Sequence, residues 1–195
     1  MQHPPVVTLG RSTKPGNLLV TPEYLASRGI ALHDVERGGD VTWHGPGQLV
    51  GYPIVDLRLL RLGSRAYVQK LAQALAFVLA ELGIASHWQD DAPGLWTDHG
   101  KIAAIGVHIH RGVTTHGFAI NVEGELAGFR SIVPCGLAGR RVTSISAQTG
   151  ASVADPSRGP AWLRDSVAAR LGEVLAVDIA RPMSLDLLRE LPSHE

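Results

Sequence analysis

From Ser64 to Gly83 apolar residues recur at helical spacing, and Val68, Leu71, Ala72, Leu75, Phe77, Val78, Leu79 and Leu82 make a face too broad to leave in water. A helix of that length with such a face needs a flat partner, and the sequence supplies one directly afterwards. Gly94–Asp98, Lys101–Arg111 and Val113–Val122 read as successive strands, the last two closing tightly at Arg111-Gly112. Ser64 is the expected cap of the helix and Gly83 its stop. One helix laid on a sheet of sequential strands is therefore the organising unit.

The flanks fit the same plan. Pro5–Leu9 reads as a strand, Gly10–Gly16 as a loop, and Thr21-Pro22-Glu23 as the start of a short helix that ends at Gly29. Ala31–Glu36 alternates weakly, and Leu49–Leu57 looks like a strand leaving a Gly-rich segment. Val142–Ile145 is strand-like, Ala147–Pro160 has a linker composition, and helices are expected over Ala161–Ala176 and Leu185–Leu191. The first of these should pack through Trp162, Val167, Leu171 and Val174. The expectation is a single α+β domain over residues 1–195, with a mixed sheet and helices on one face; residues from about 150 onward form its helical C-terminal part.

Charge and composition exclude several function classes. Eighteen Lys plus Arg balance eighteen Asp plus Glu, so phosphate neutralisation offers no route to affinity and nucleic acid is not an expected partner. The apolar stretch Ala74–Ala80 is closed by Glu81, far short of the roughly 20 residues of a bilayer span, and no membrane association is expected. The single Cys cannot form an intramolecular disulfide and Met1–Gly10 does not read as a signal peptide, so the expected location is the cytoplasm.

Chemistry concentrates in four places. Arg37-Gly38-Gly39-Asp40-Val41-Thr42-Trp43-His44-Gly45-Pro46-Gly47-Gln48 puts a cation, an aromatic ring and an imidazole on one Gly-rich stretch, where backbone can approach a ligand closely. Cys135 lies between Pro134 and Gly136, and a neighbouring ammonium would raise its thiolate fraction. Only three of the eighteen basic residues are Lys, and Lys101 opens a strand. His108 and His110 share a strand face with His116 on the next strand, yet no obvious carboxylate or thiolate is at hand to complete a ligand set, and no metal is expected. His116 itself reads equally as a ligand-facing or a core residue.

These segments resemble a known family. Arg37 through Tyr52 is similar to the signature loop of the lipoyl (octanoyl) transferases, with Asp40 where the usual forms carry Gln and Trp43 where they often carry Tyr. Gly100–Val107, Thr115–Val122 and Ile132–Gly136 leading to Val142–Ile145 follow in the family's order, so the resemblance spans most of residues 4–148. It implies the fold of lipoate and biotin protein ligases, related to class II aminoacyl-tRNA synthetase cores.

The implied activity is transfer of an octanoyl (or lipoyl) group from acyl carrier protein to a lysine of the lipoyl domains of 2-oxoacid dehydrogenase complexes and of the glycine cleavage H protein. This would be the first step of lipoate assembly. Cys135 is the implied nucleophile and Lys101 its activator. The implied acyl-binding positions are Arg37, Gly38, Gly39, Asp40, Val41, Thr42, Trp43, His44, Ala104, Ile105, Gly106, Gly117, Phe118 and Ala119. Neither ATP nor a metal is expected; the alternative is an ATP-dependent lipoate or biotin ligase on the same fold. Members of the family usually carry another helix and strand ahead of the segment matching His3-Pro4-Pro5-Val6-Val7, on which this sequence almost directly begins; either the start is truncated or the sheet lacks an element, and an exposed sheet edge is expected. Gly106 reads equally as a ligand contact or as a point of close packing, and Arg140 and Arg141 are candidate docking cations for acidic partners.

Overall fold

The computed structural model describes residues 1–124, 126–133, 140–150 and 161–178. Two sheets carry the fold. The larger contains β4 (Gln48–Gly51), β5 (His87–Trp88), β6 (Gly94–Thr97), β7 (Gly100–His110) and β8 (Val113–Asn121), in the order β4-β8-β7-β6-β5 and antiparallel throughout. The smaller has β1 (Val6–Leu9) at its centre, parallel to β2 (Ala31–Asp34) and antiparallel to β3 (Thr42–His44). The expected single mixed sheet is thus two sheets, of which only the small one is mixed. A parallel pair needs a crossover, and helix α1 (Pro22–Ser27) supplies it between β1 and β2. Thr21 caps α1 by accepting the Tyr24 N–H at 3.2 Å.

Helix α2 (Ser64–Glu81) lies on the large sheet, with Tyr67, Leu71, Ala72, Ala74, Leu75, Val78 and Leu79 buried. The apolar stripe is narrower than the sequence suggests: Phe77 points outward, 46% exposed. Gly63, not Ser64, is the N-cap, and no side-chain bond closes that end. Helix α4 (Trp162–Leu175) packs against α2 through Leu163, Val167, Leu171 and Leu175, so Trp162 and Val174 are only partly buried at the margin of the stripe. A second, smaller core gathers Val7, Leu25, Val41, Trp43 and Ile132 beneath the three-stranded sheet.

The hairpin at Arg111-Gly112 forms with both residues at positive φ (+49° and +85°), which sets His110 opposite Val113. The strand expected over Leu49–Leu57 ends at Gly51, because Pro53 has no N–H for a ladder. On the outer edge of β4, Met1 exchanges both of its backbone bonds with Val50, each 2.9 Å, covering part of the edge expected to be open. Val142–Ile145 is not a strand. Val142 makes a single parallel bridge to Lys101, and Ser144 caps a short helix α3 (Ile145–Thr149) by accepting the Ala147 N–H. α3 also takes the start of the expected linker, whose remainder lies outside the described residues, as does the helix expected over Leu185–Leu191.

Candidate active site

Between the two sheets runs a cavity of about 260 Å³. Val6 and Thr8 of β1 and Thr42 and His44 of β3 form one wall; Ala104, Gly106, Gly117 and Ala119 of β7 and β8 form the other. Its size lies just below the range of drug-sized pockets, about 300 Å³ and upward, and suits a narrow ligand. The second wall is flat because the residues paired across β7 and β8 are small: Ala104 opposite Ala119, Gly106 opposite Gly117. Ile105 and Phe118 alternate to the other face, where they join the core under α2 while bordering the cavity from below.

Gly106 is fixed by a neighbour. A Cβ there would stand 2.8 Å from the Gly38 carbonyl oxygen, and the Gly38 N–H donates to Val107 O at 2.9 Å, so the Gly-rich loop is stapled directly onto β7. Gly106 thus provides close packing and cavity wall at once. Arg37, 8% exposed, is aimed inward by Thr8, which accepts from the guanidinium through its hydroxyl (2.9 and 3.2 Å) and its carbonyl (2.8 Å). Gly39, Asp40 and Val41 also border the cavity. Gly38 and Trp43 do not: Trp43 is in the second core, edge-on to Phe129 and packed over Gly128. Its indole is too large to share the small wall, whichever side of the loop the sequence motif suggests.

A buried polar chain runs beneath the cavity. Gln48 donates through Nε2 to Asn121 Oδ1 (3.0 Å) and Trp43 O (3.3 Å), and Asn121 Nδ2 donates to Thr143 O at 2.9 Å. The remaining Gln48 oxygen therefore accepts from His44 Nδ1 at 3.0 Å, which assigns the His44 proton to that nitrogen. Burial, reinforced by the Arg37 charge, pushes the His44 pKa down to about 4 even though this hydrogen bond opposes the shift. In the unfolded chain the ring takes its proton near pH 6.5. Between those values the unfolded state binds more protons, so stability falls as pH drops from about 6.5 to about 4, at up to about 1.4 kcal/mol per unit from this group. Urea midpoints measured across that window are expected to decline, and His44→Gln should flatten the decline.

Lys101 lies at the inner end. It is 4% exposed, its ammonium donates to Pro93 O at 2.7 Å, and it faces the Trp96 ring with 5.6 Å to the centroid. A chamber of about 20 Å³, water-sized, is lined by Lys101, Gln48 and Asn121 together with Thr42, Ala104 and Ala119, which also border the main cavity. The lysine is admitted by Gly94, held at φ +146°, where a Cβ would come within 2.5 Å of Lys101 Cε. Gly94 carries no sequence signal for this role beyond being a glycine at a strand start.

Cys135 lies outside the described residues. The chain on either side is tied down: Val133 N–H donates to Asn17 O at 2.8 Å, and Arg141 O accepts the Lys101 N–H at 2.9 Å. Other contributors missed from sequence are Val50, buried in the lining, and His3, His33, Val35 and Tyr52 at the cavity mouth, where His3 Nε2 meets the Tyr52 hydroxyl at 2.7 Å. They come from three separated segments; His33 and Val35, and Val50 and Tyr52, are each two residues apart, the alternation that puts both members on one side of extended chain. His116 reaches the same mouth from a left-handed backbone (φ +58°), edge-on to Tyr52. His108 has a carboxylate neighbour after all, Glu36 at 3.3 Å, but among the described residues no three such groups form a metal-holding set. Arg140 is not an unpaired docking cation, since Asp91 holds it at 2.8 Å.

Residues 1–158 match the lipoyl protein ligase A/B catalytic domain. The chain is 50% identical over 158 residues to an octanoyltransferase of Acidobacterium capsulatum, covering 74% of this chain and 64% of that one. It is 44% identical over 182 residues to an octanoyltransferase of Xanthomonas campestris pv. campestris, covering 93% and 75%. The chain therefore spans a little under two thirds of the Acidobacterium relative. Among solved structures, lipoate-protein ligase A bound with ATP superposes with a TM-score of 0.70 at 17% identity, covering 97% of this chain and 78% of that one. The biotin protein ligase of Aquifex aeolicus gives 0.52 at 16%, covering 88% and 68%. The folds agree, a buried lysine lines the chamber beside the small-walled cavity, and the likeness to octanoyltransferases extends over both sheets: this chain belongs to the lipoyl protein ligase A/B catalytic-domain family.

Proposed function

We propose that this chain transfers an octanoyl group from the thioester of acyl carrier protein to a lysine of a lipoyl domain, through a thioester on Cys135. Lipoyl domains of 2-oxoacid dehydrogenase complexes and the glycine cleavage H protein are the acceptors, and the transfer opens lipoate assembly. The observation that carries this reading is the Lys101 ammonium, buried at the end of a slot whose wall is made of alanine and glycine. Such a slot accepts a linear acyl chain, at about 0.8 kcal/mol per buried methylene before association costs.

In the proposed chemistry the Lys101 ammonium stabilises Cys135 as its thiolate, and the thiolate attacks the donor carbonyl carbon. The bond to the carrier sulfur breaks, and the proton passes from Lys101 to the departing thiolate. One thioester replaces another at nearly equal free energy, so the step needs no ATP. The acceptor amine then attacks, Lys101 removes its proton, and the bond to Cys135 breaks as the amide forms. The chain makes the reaction without a metal or nucleotide. Among the described residues no helix is long and apolar enough to cross a membrane.

Purified protein, octanoyl carrier protein and a lipoyl domain are expected to give octanoylated domain without ATP. A requirement for ATP and free octanoate would replace this reading with the ligase one. The slot is best tested at Ala119, which borders both the cavity and the Lys101 chamber. Gly106 is unsuitable because any Cβ there meets backbone. Ala119→Leu should lower octanoyl transfer by about tenfold or more, the worth of one to two displaced methylenes, while a butanoyl donor is much less impaired. Equal losses for both donors would place the chain elsewhere.

A further inference from the structure

The two walls of the cavity differ in kind. Ala104, Gly106, Gly117 and Ala119 present no polar side-chain atom, whereas the facing wall carries Thr8, Thr42 and His44. Thr8 and Thr42 are partners across β1 and β3, and His44 pairs with Val6 one repeat, about 7 Å, farther along the same face. Thr42 also borders the Lys101 chamber and His44 does not, so His44 lies beside the outer part of a chain whose carbonyl end is at Lys101. The two hydroxyls can rotate to find partners; the imidazole cannot. Its Nδ1–H is already given to Gln48 Oε1 at 3.0 Å, and burial keeps the ring neutral at pH 7, so Nε2 is a fixed lone pair. No group among the described residues donates to it.

The outer end continues this character. Among the described residues His33 and His116 line it without a hydrogen bond, His3 and Tyr52 bond each other at 2.7 Å, and the His3 ring centroid lies 5.9 Å from that of His44. A terminal methyl lying there desolvates an acceptor and gives it nothing in return.

We propose that the slot is built for a medium-chain acyl group whose last carbon carries a hydroxyl, and that His44 Nε2 accepts the hydrogen bond from that hydroxyl, which makes His44 the residue that reads the far end of the chain. The proposal rests on the reading of this cavity as the acyl slot. The terminal group must be a donor, because an ether or a carbonyl at the same place would set two acceptors face to face. Thioester exchange and amide formation are unaltered, since the hydroxyl is at the opposite end from the reacting carbonyl and is changed by neither step.

Binding of free acids tests this without Cys135 or a carrier. 8-Hydroxyoctanoate and nonanoate are matched in length and differ only by hydroxyl for methyl. Calorimetric titration of the full chain at pH 7 should give 8-hydroxyoctanoate the lower Kd, whereas a slot with no partner for the hydroxyl favours nonanoate by about tenfold or more. In protein labelled with 15N-histidine, the His44 Nε2 resonance should move upfield with 8-hydroxyoctanoate and stay in place with nonanoate, a readout that needs no variant. His44→Phe keeps a ring and removes the acceptor, and it should shift the ratio of the two affinities toward nonanoate by about tenfold. Tighter binding of nonanoate by the wild type, an Nε2 resonance indifferent to the hydroxyl, or an unchanged ratio in His44→Phe would each overturn the assignment. Failure of ATP-free octanoyl transfer with the binding preference intact would instead remove the transferase reading and leave His44 its part in the slot.

Discussion

Cys135→Ala is expected to abolish transfer while leaving the melting temperature within a degree or two. A methyl group cannot carry a thioester, and without one the acceptor amine has no acyl group to attack. The chain has one cysteine, so no second thiol can stand in. Intact-protein mass spectrometry after incubation with octanoyl carrier protein should show one added octanoyl group on the wild type and none on the variant. Loss of roughly 10³-fold or more in turnover is the scale for removing a covalent nucleophile. Residual transfer within tenfold of wild type would require direct attack of the acceptor on the carrier thioester.

Lys101→Arg should fail almost as completely, though it keeps the charge. Guanidinium is protonated at all relevant pH values and cannot take the proton of the acceptor amine. Space adds a second obstacle, because Lys101 Nζ already sits 2.7 Å from Pro93 O and its Cε fills the volume that Gly94 leaves open. A forked, longer head has no room there without displacing β6. The expected result is a loss of 10²-fold or more in transfer to the lipoyl domain, in the range of lost general-base catalysis. Acylation of Cys135 measured in a single turnover should be less affected than transfer, since a guanidinium still stabilises a thiolate. Equal wild-type rates in both steps would leave Lys101 with a structural part only.

Much of this arrangement is written locally. The α2 stripe, the Arg111-Gly112 turn, the Thr21-Pro22 helix start and the long β7 and β8 strands each follow from periodicity or from turn and cap chemistry within a few residues. Lys101 and the Gly-rich loop were legible because rare residue types and glycine clusters stand out in a row of letters, and because their spacing resembles a family. The placement of Cys135 beside Lys101 lies outside the described residues and stays a proposal.

What tertiary structure decided is what depends on partners distant in the chain. Two sheets instead of one follow from β4 pairing with β8, some 70 residues away, while β3 turns back to β1. That division creates the cavity, and it also sorts the loop: His44 and Thr42 face the slot while Trp43, one position between them, is carried into the other core by strand alternation. The mouth formed by His3, His33, Tyr52 and His116 comes from four separated segments, and the Trp96 surface shared by Lys101 and Arg140 from three. Local propensity acts over a few residues and so determines elements, whereas the walls of a site are set by long-range pairing and packing, which no short window of sequence contains.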